Sequence, residues 1–251
     1  MAFLKLLARH HNQLSTQTRR LSVAAAAAVL PETAIWTPAP LLTVSPAARS
    51  LFHVAIDVSD SPELAVSHTR AGQYLQLRVP RVAKPSFLAI ASPPSLAAAR
   101  GVFEFLVKSV PGSTAELLCD LRRGDIVELS HIMGDGFDID RISPPEKFQT
   151  VLIFAAGSGI SVPENLERMA YQDRFKNWEA SGVDIVPVLS QPDDTWTGDC
   201  GFVQAAFSKA KRTFSPRSTG AVLCGRRRMT EEVTSVLLAN GVPAEKILKN
   251  F

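Results

Sequence analysis

Cysteine is scarce in this chain: Cys119, Cys200 and Cys224 are the only ones in 251 residues, and they form no CxxC pair. An odd number of widely separated thiols does not fit a disulfide framework, a zinc site or an iron–sulfur cluster. We therefore expect no metal and a reducing compartment. GxSxG and HExxH motifs are also absent, which leaves an acyl hydrolase with little support.

Acidic residues are missing from the first part of the chain. Residues 1–31 hold Lys5, Arg9, Arg19 and Arg20 and no Asp or Glu. These cations exceed the formal net charge of +3, so the rest of the chain is slightly acidic and a nucleic-acid partner is not expected. An acid-free basic start is typical of an organellar targeting presequence.

Long apolar runs are missing as well. Residues 23–30 form an apolar run of only eight residues, whereas a transmembrane helix needs about 20. We therefore expect no transmembrane segment. Residues 1–9 have the amphipathic character of a mitochondrial presequence, whereas residues 23–25 resemble a plastid cleavage site.

The most informative motif that is present is an apolar run ending in a glycine turn. Residues 151–156 are all apolar, and Gly157, Ser158 and Gly159 follow them. Glycines allow a tight turn and a close approach of the backbone to a ligand, and a helix after the turn directs free N–H groups at a phosphate. The same pattern also occurs in plain strand-to-helix turns, so by itself it leaves both interpretations open.

A second apolar strand ending in small residues lies in the last third of the chain. Residues 221–225 predict this strand, and an amphipathic helix follows, which Gly241 ends. Residues 247–251 predict a last strand. Strands with glycine-marked carboxyl ends, alternating with helices, indicate a doubly wound α/β unit with a ligand crevice beyond those ends.

The upstream half reads as closely spaced strands and turns, which favours a small antiparallel barrel. One helix is predicted within it, over residues 114–121, entered through Gly112 and Ser113. The predicted strands cover residues 51–58, 74–79, 87–91, 101–107 and 126–129.

The GSGI turn at 157–160, the CGxxxM turn at 224–229 and the terminal aromatic Phe251 together resemble the nucleotide-binding domain of the ferredoxin-NADP reductase superfamily. The run from Ser50 to Phe251 resembles more specifically the plant fruit-protein-like FAD/NAD(P)-binding oxidoreductases of that superfamily. The implied fold class is a two-domain α+β protein, with an FAD-type antiparallel β-barrel and a doubly wound α/β domain. The implied division is a presequence at 1–32, a linker at 33–49, the barrel at 50–145 and the NAD(P)-binding domain at 146–251.

The resemblance implies FAD and NAD(P)H as cofactors and gives roles to individual residues. Leu88, Ala89, Ile90, Ala91 and Ser92 are placed beside the flavin, and Gly112, Ser113 and Thr114 under the pyrophosphate. Gly157, Ser158, Gly159, Gly225 and Met229 are assigned to nucleotide binding. Cys224 faces the nicotinamide and Phe251 covers the flavin, so these two are the candidate catalytic residues.

Two of these assignments have simpler alternatives. Backbone N–H groups and hydroxyls at the start of the helix after Gly112 form an anion site, but Ser113 is also an ordinary helix cap. Cys224 at the end of a buried strand is also typical of a small core residue.

The chain departs from the family pattern at the flavin site. The superfamily commonly has Arg-x-Tyr-Ser there, in which Arg contacts the pyrophosphate, Tyr stacks on the ring and Ser reaches the flavin N5. This chain has Ser86, Leu88 and Ala89 instead. A charge-assisted hydrogen bond and an aromatic stack are thus missing from this segment.

A second departure is an apparent internal deletion after Ile160. Only about 22 residues separate the glycine turn from the strand predicted at 183–189, which leaves room for one crossover helix, from Pro163 through Phe175. One helix and one strand of the usual unit are therefore absent. We expect the strand at 183–189 to close up beside residues 151–155.

The expected function is hydride transfer from NAD(P)H to FAD, with electrons passing to an acceptor that the sequence does not identify. The alternative is a non-catalytic flavin- or partner-binding member of the same fold with impaired NAD(P) binding. The family favours the chloroplast as the location, with the mitochondrion as the alternative.

Overall fold

The computed structural model describes residues 2–5, 35–80, 82, 84–156, 169–210 and 214–249 of the chain. Its first half is a six-stranded antiparallel sheet with the order β5-β4-β7-β2-β3-β6. The strands are β2 (Thr37–Ala48), β3 (Leu51–Asp57), β4 (Tyr74–Arg78), β5 (Ser86–Ala89), β6 (Val102–Lys108) and β7 (Ile126–Leu129).

The two outer strands of this sheet meet, so the sheet closes into a barrel. The Ala91 N–H, just after β5, donates a 2.8 Å hydrogen bond to the Glu104 carbonyl of β6. The barrel is filled by fully buried side chains that include Leu41, Phe103 and Phe105.

The barrel departs from the sequence-based expectation at its start. Strand β2 lies within residues 33–49, which were predicted to be a linker leading into the barrel and which contain Pro38, Pro40 and Pro46. Pro38 and Pro40 lie where β2 pairs with β7 alone. Leu41 donates to Asp125 on the β7 side, so by alternation these prolines direct their nitrogens away from β7. Pro46 lies at a register irregularity of the β2–β3 pair, where proline is tolerated.

The helix predicted in the barrel is present as α3 (Thr114–Asp120), but it is joined by two others. These are α1 (Pro62–Ser67) and α2 (Pro94–Arg100). With six and seven residues, they are too short to show a clear helical period in the sequence, and each begins at a proline.

The second half is a parallel sheet with the order β13-β12-β8-β1-β9. Its strands are β1 (Ala2–Lys5), β8 (Thr150–Ala155), β9 (Val183–Val186), β12 (Thr219–Cys224) and β13 (Ile247–Lys249). A short separate pair is formed by β10 (Val188–Leu189) and β11 (Asp199–Cys200). The two-domain α+β fold class predicted from the sequence is confirmed.

The expected closure of the sheet after the deletion is wrong. Strand β9 does not pair with β8, because β1 lies between them and pairs in parallel with both. Ala2 is aligned with Val151 on one side and with Val183 on the other. A segment from the other end of the chain thus occupies the position beside β8, which an analysis of local sequence spacing does not anticipate.

Three helices belong to this half: α4 (Gln172–Ala180), α5 (Val203–Lys209) and α6 (Arg227–Ala239). The crossover helix predicted from Pro163 begins, within the described residues, only at Gln172. Tyr171 precedes it with φ +62°, a left-handed conformation that interrupts a right-handed helix. The core on this side includes Phe154, whose ring lies 5.2 Å from that of Phe207 in an edge-to-face arrangement.

The two halves are packed against each other. Ala170, just before α4, is buried together with Leu51 and Leu106 of the barrel, and Tyr171 packs against the same cluster. On the opposite side, Phe137 and Leu248 belong to another shared cluster. These contacts position α4 over one edge of the barrel.

Candidate functional site

A cavity of about 530 Å³ lies between the barrel and the α/β half. This volume is within the range of about 300–1,000 Å³ that is usual for small-molecule and cofactor sites. The cavity is lined by residues 86–91, 104, 106–108, 115 and 137, together with Gly72, Tyr171, Arg174, Trp178 and Cys224. Residues from both halves therefore form one site.

The barrel side of the cavity is the line where the edge strands β5 and β6 separate. The Ile90 N–H donates to the Gln73 carbonyl, whereas the next N–H, of Ala91, donates to Glu104 across the gap. Because hydrogen-bonding direction alternates along an antiparallel strand, the backbone groups of Phe87 and Ala89 also point away from β4. These edge groups are available to a bound molecule, so a strand without charged side chains can still form hydrogen bonds to a planar heterocycle.

Four of the residues predicted to lie beside a flavin are in the cavity wall. These are Leu88, Ala89, Ile90 and Ala91. The fifth, Ser92, is 3% exposed and is not in the wall. Its hydroxyl accepts a 3.1 Å hydrogen bond from the Glu104 N–H, so it joins the two edge strands below the cavity.

The helix start predicted to bind pyrophosphate is capped from within the chain. The Ser113 hydroxyl accepts from the Glu116 N–H at 3.2 Å, and the Glu116 carboxylate accepts from the Gly112 N–H at 2.6 Å. Thr114 donates its hydroxyl hydrogen to the Lys84 carbonyl at 2.8 Å. This is the ordinary-cap arrangement, close to a capping box. A phosphate would have to displace Glu116, and the phosphate-binding role of these residues stays a prediction.

Cys224 lies at the carboxyl end of β12 and contributes to the cavity wall from the α/β side. Burial raises the pKa of its thiol, so the uncharged form is favoured. The Cys224 carbonyl accepts a 2.8 Å hydrogen bond from the Ala156 N–H, which brings the carboxyl ends of β8 and β12 together. Ala156, the last described residue before the predicted glycine turn, therefore lies beside Cys224, as the doubly wound arrangement requires.

Gly225 and Met229 are packed against each other rather than lining the cavity. A Cβ at position 225 would collide with the Met229 methyl and lie 3.1 Å from the Ala156 carbonyl. Met229 is 6% exposed and belongs to the core of the α/β half. Within this structure, Gly225 allows the helix α6 to start close to the sheet, and Met229 fills the space so formed. Gly157, Ser158, Gly159 and Phe251 lie outside the described residues, and their predicted roles stay predictions.

The sequence did not assign any role to α4, yet three residues at its start and along one face line the cavity. They are Tyr171, Arg174 and Trp178. The guanidinium of Arg174 lies 4.8 Å from the centre of the Tyr171 ring, and burial is the main cause that raises the pKa of Tyr171. Their spacing of three and four residues is the available sequence signal, but it does not show which surface the helix contacts.

One acidic side chain, Glu104, is also in the cavity wall. Its carboxylate lies 3.6 Å from the Nε2 of His53. Across the described ranges of the chain, no group of three or more His, Cys, Asp and Glu side chains could hold a metal ion. No helix among those ranges has the length and apolarity to span a membrane.

Comparison with known proteins gives the family. The model of the oxidoreductase NAD-binding domain matches residues 148–235. The fruit protein pKIWI502 of Actinidia deliciosa is 45% identical over 283 residues, covering 99% of this chain and 87% of that protein. The aligned stretch is longer than this chain of 251 residues, so the relative has residues there that this chain lacks.

Solved structures with the same fold are similar over most of their length. A ferredoxin NADP+ reductase from Neisseria gonorrhoeae with bound FAD and NADP has a TM-score of 0.60 at 17% identity, covering 82% of this chain and 92% of that one. The Amycolatopsis cytochrome P450 reductase GcoB has a TM-score of 0.63 at 21% identity, covering 86% and 69%. The structure from Neisseria gonorrhoeae holds FAD and NADP, the pair of cofactors that the sequence predicts for this chain, and the match to the NAD-binding domain agrees with the nicotinamide nucleotide. The chain belongs to the family of the plant fruit protein pKIWI502, its residues 148–235 match the oxidoreductase NAD-binding domain, and it has the fold of the solved reductases.

Proposed function

We propose that this protein is a flavin-dependent oxidoreductase that takes a hydride from NAD(P)H onto FAD and passes electrons to a further acceptor. The observation that carries the proposal is the shared cavity, in which the flavin-side strand β5 and Cys224 at the nucleotide-side strand end face the same space. When bound, FAD supplies the group that accepts a hydride from a nicotinamide ring.

The chain's own contribution is to bind and orient two planar rings and to exclude water. The edge of β5 offers backbone donors and acceptors at Phe87 and Ala89, which fix orientation without a charged side chain. Leu106, Val107 and Phe137 provide an apolar wall. Cys224, neutral at physiological pH because of its burial, adds a small soft group at the end of β12 without a charge that would repel a ring.

The experiment uses the full-length chain, since β1 is part of the α/β sheet. The purified protein is examined by visible spectroscopy before and after addition of NADPH in the absence of oxygen. Bound flavin that loses its absorbance on addition of NADPH supports the enzyme. A folded protein that takes up no flavin, even when FAD is supplied, contradicts the proposal.

The second candidate is a non-catalytic flavin-binding member of the same fold. Two observations favour it: the missing Arg-x-Tyr-Ser side chains around β5, and the shortfall of residues against the plant relative. Bound flavin that NADPH does not reduce, while dithionite does, would favour this candidate over the enzyme.

For the location, we propose the chloroplast, with the mitochondrion as the alternative, on the basis of the basic, acid-free residues 1–31. A fluorescent protein fused behind residues 1–40 is expected to accumulate in the organelle. A diffuse cytosolic signal would reject both locations.

A further inference from the structure

Strand β5, on the barrel side of the cavity, lacks a side chain that could pair with the phosphate of a flavin nucleotide. Its residues are Ser86, Phe87, Leu88 and Ala89, which include no cation. Its one aromatic ring, that of Phe87, is in the cavity wall and lies 6.0 Å from the Tyr74 ring. A cofactor with phosphate groups therefore needs a cation from elsewhere in the cavity, and further aromatic side chains there would add to the contact with its planar ring.

Helix α4 brings such side chains to the opposite wall. Arg174 and Trp178 are four residues apart and share one face of the helix, and Tyr171 lies just before its first residue. All three line the cavity. The Tyr171 and Trp178 ring centres lie 6.4 Å apart. The face is fixed against the barrel, because Ala170 is fully buried beside Leu51 and Leu106.

The charge of Arg174 is available to an anion. Within the described ranges, no carboxylate lies within 4.0 Å of its guanidinium, which lies over the face of the Tyr171 ring. Glu104, the acid in the same cavity, lies near His53 instead. Lys108 adds a second cation to the wall. A cation stacked on an aromatic ring keeps its edge N–H groups free for a phosphate oxygen.

We propose that helix α4 supplies the flavin site from across the interface: Arg174 binds the phosphate of the flavin nucleotide, and Tyr171 and Trp178 contact its planar ring. This inference rests on the proposed flavin-binding function. The cation that β5 lacks is thereby supplied by the other half of the molecule, whose two rings add to that of Phe87 in the barrel. Flavin binding would then hold the two halves together.

The test compares three ligands on the full-length protein freed of flavin. Dissociation constants of FAD, FMN and riboflavin are measured by flavin fluorescence for the wild type and for Arg174→Gln. Loss of a charge-assisted hydrogen bond to phosphate is expected to weaken FAD and FMN by about tenfold or more. Riboflavin, which has no phosphate, should bind unchanged.

Two further variants control the result. Lys176→Gln removes the same charge from the same helix, but Lys176 is exposed and outside the cavity wall, so it should bind FAD like the wild type. Arg174→Lys keeps a positive charge and should bind FAD more tightly than Arg174→Gln does. Thermal unfolding midpoints show that each variant is folded.

The outcomes separate the two proposals. If the wild type binds FAD and Arg174→Gln binds it equally well, the inference fails and the proposed function stands. Equal weakening of FAD and riboflavin also overturns the assignment of Arg174 to phosphate. If the wild type binds none of the three ligands, the proposed function fails and the inference with it.

Discussion

The side chain of Met229 covers Gly225, so that its methyl group and the Ala156 carbonyl occupy the space that a Cβ at position 225 would need. Gly225→Ala is therefore expected to lower the free energy of unfolding by about 1–3 kcal/mol, the usual effect of overpacking. Urea denaturation measures this change. In a double-mutant cycle with Met229→Ala, the two losses should not add, because the second substitution removes the methyl that the new Cβ meets. Additive losses would show that the Ala156 carbonyl alone causes the strain.

His68 should make stability depend on pH in the mildly acidic range. It is 2% exposed, contacts Phe103 edge-to-face at 5.9 Å, and its pKa is lowered, chiefly by burial. The pKa of such a His is lower in the folded state than in the unfolded state, where it is about 6.5. The stability that the neutral His68 adds is therefore fully present at pH values above the pKa of the unfolded state. That stability is lost as pH falls through the folded value.

Urea denaturation between pH 7.5 and pH 5 tests this expectation. His68→Phe should flatten the pH dependence, whereas the matched control His131→Gln, at an exposed position, should leave it unchanged. The same slope in the wild type and in His68→Phe would assign the pH dependence to other groups.

The three cysteines should differ in their reactivity towards alkylating reagents. Cys200 is exposed, Cys224 is partly buried, and burial chiefly raises the pKa of Cys119 to about 11. Because the thiolate is the reactive form, we expect Cys200 to react first and Cys119 last. Timed iodoacetamide labelling at pH 8 with mass spectrometry measures the order.

Cys224 also reports on the cavity. Excess FAD or NADP+ should slow its alkylation and leave that of Cys200 unchanged, since only Cys224 is in the cavity wall. Protection of both thiols, or of neither, would be inconsistent with a ligand bound at this position.

Glu116 is expected to compete with phosphate at the start of α3. Its carboxylate accepts from the Gly112 N–H, so Glu116→Gln removes a negative charge from the predicted pyrophosphate position. FAD affinity should rise several-fold, while riboflavin affinity stays constant. Ser113→Ala is the companion variant: loss of its cap should lower stability by about 1 kcal/mol. An unchanged FAD affinity in Glu116→Gln would mean that this helix start is structural.

Restoring the missing segment should affect nicotinamide binding more than flavin binding. About 30 residues of helix and strand, the length of such a unit, would be inserted from the plant relative between Ile160 and Pro163. The restored strand would take the place beside β8 that β1 occupies. NADPH affinity, measured by the rate of anaerobic flavin reduction at different concentrations, should increase markedly with little change in flavin content. If the protein without the insertion binds NADPH as tightly as the protein with it, the deletion does not impair nicotinamide binding.

Local patterns predicted the elements whose signals are local. The strand that holds Phe103 and Phe105 follows from a β-rich run between turn residues, and the turn after Cys224 follows from a glycine at a strand end. Strand β2 was missed because Pro38 and Pro40 are tolerated only where one edge is unpaired, and Pro46 only at a register irregularity. The role of α4 was missed because it depends on a contact between residues that are far apart in sequence. Ala170 packs on Leu106, and this contact brings Arg174 to the cavity.

Residues 2–5 form strand β1 and also belong to the proposed targeting presequence, and these two functions conflict. An import receptor needs the segment extended and free, whereas Ala2–Lys5 is paired on both sides with β8 and β9. Folding would then compete with translocation, and a precursor that folds first would hide its own signal. Removal of the presequence would have the opposite effect, since β8 and β9 would each lose a neighbour and expose unpaired backbone groups. The cleaved protein would therefore be expected to differ from its precursor in protease resistance.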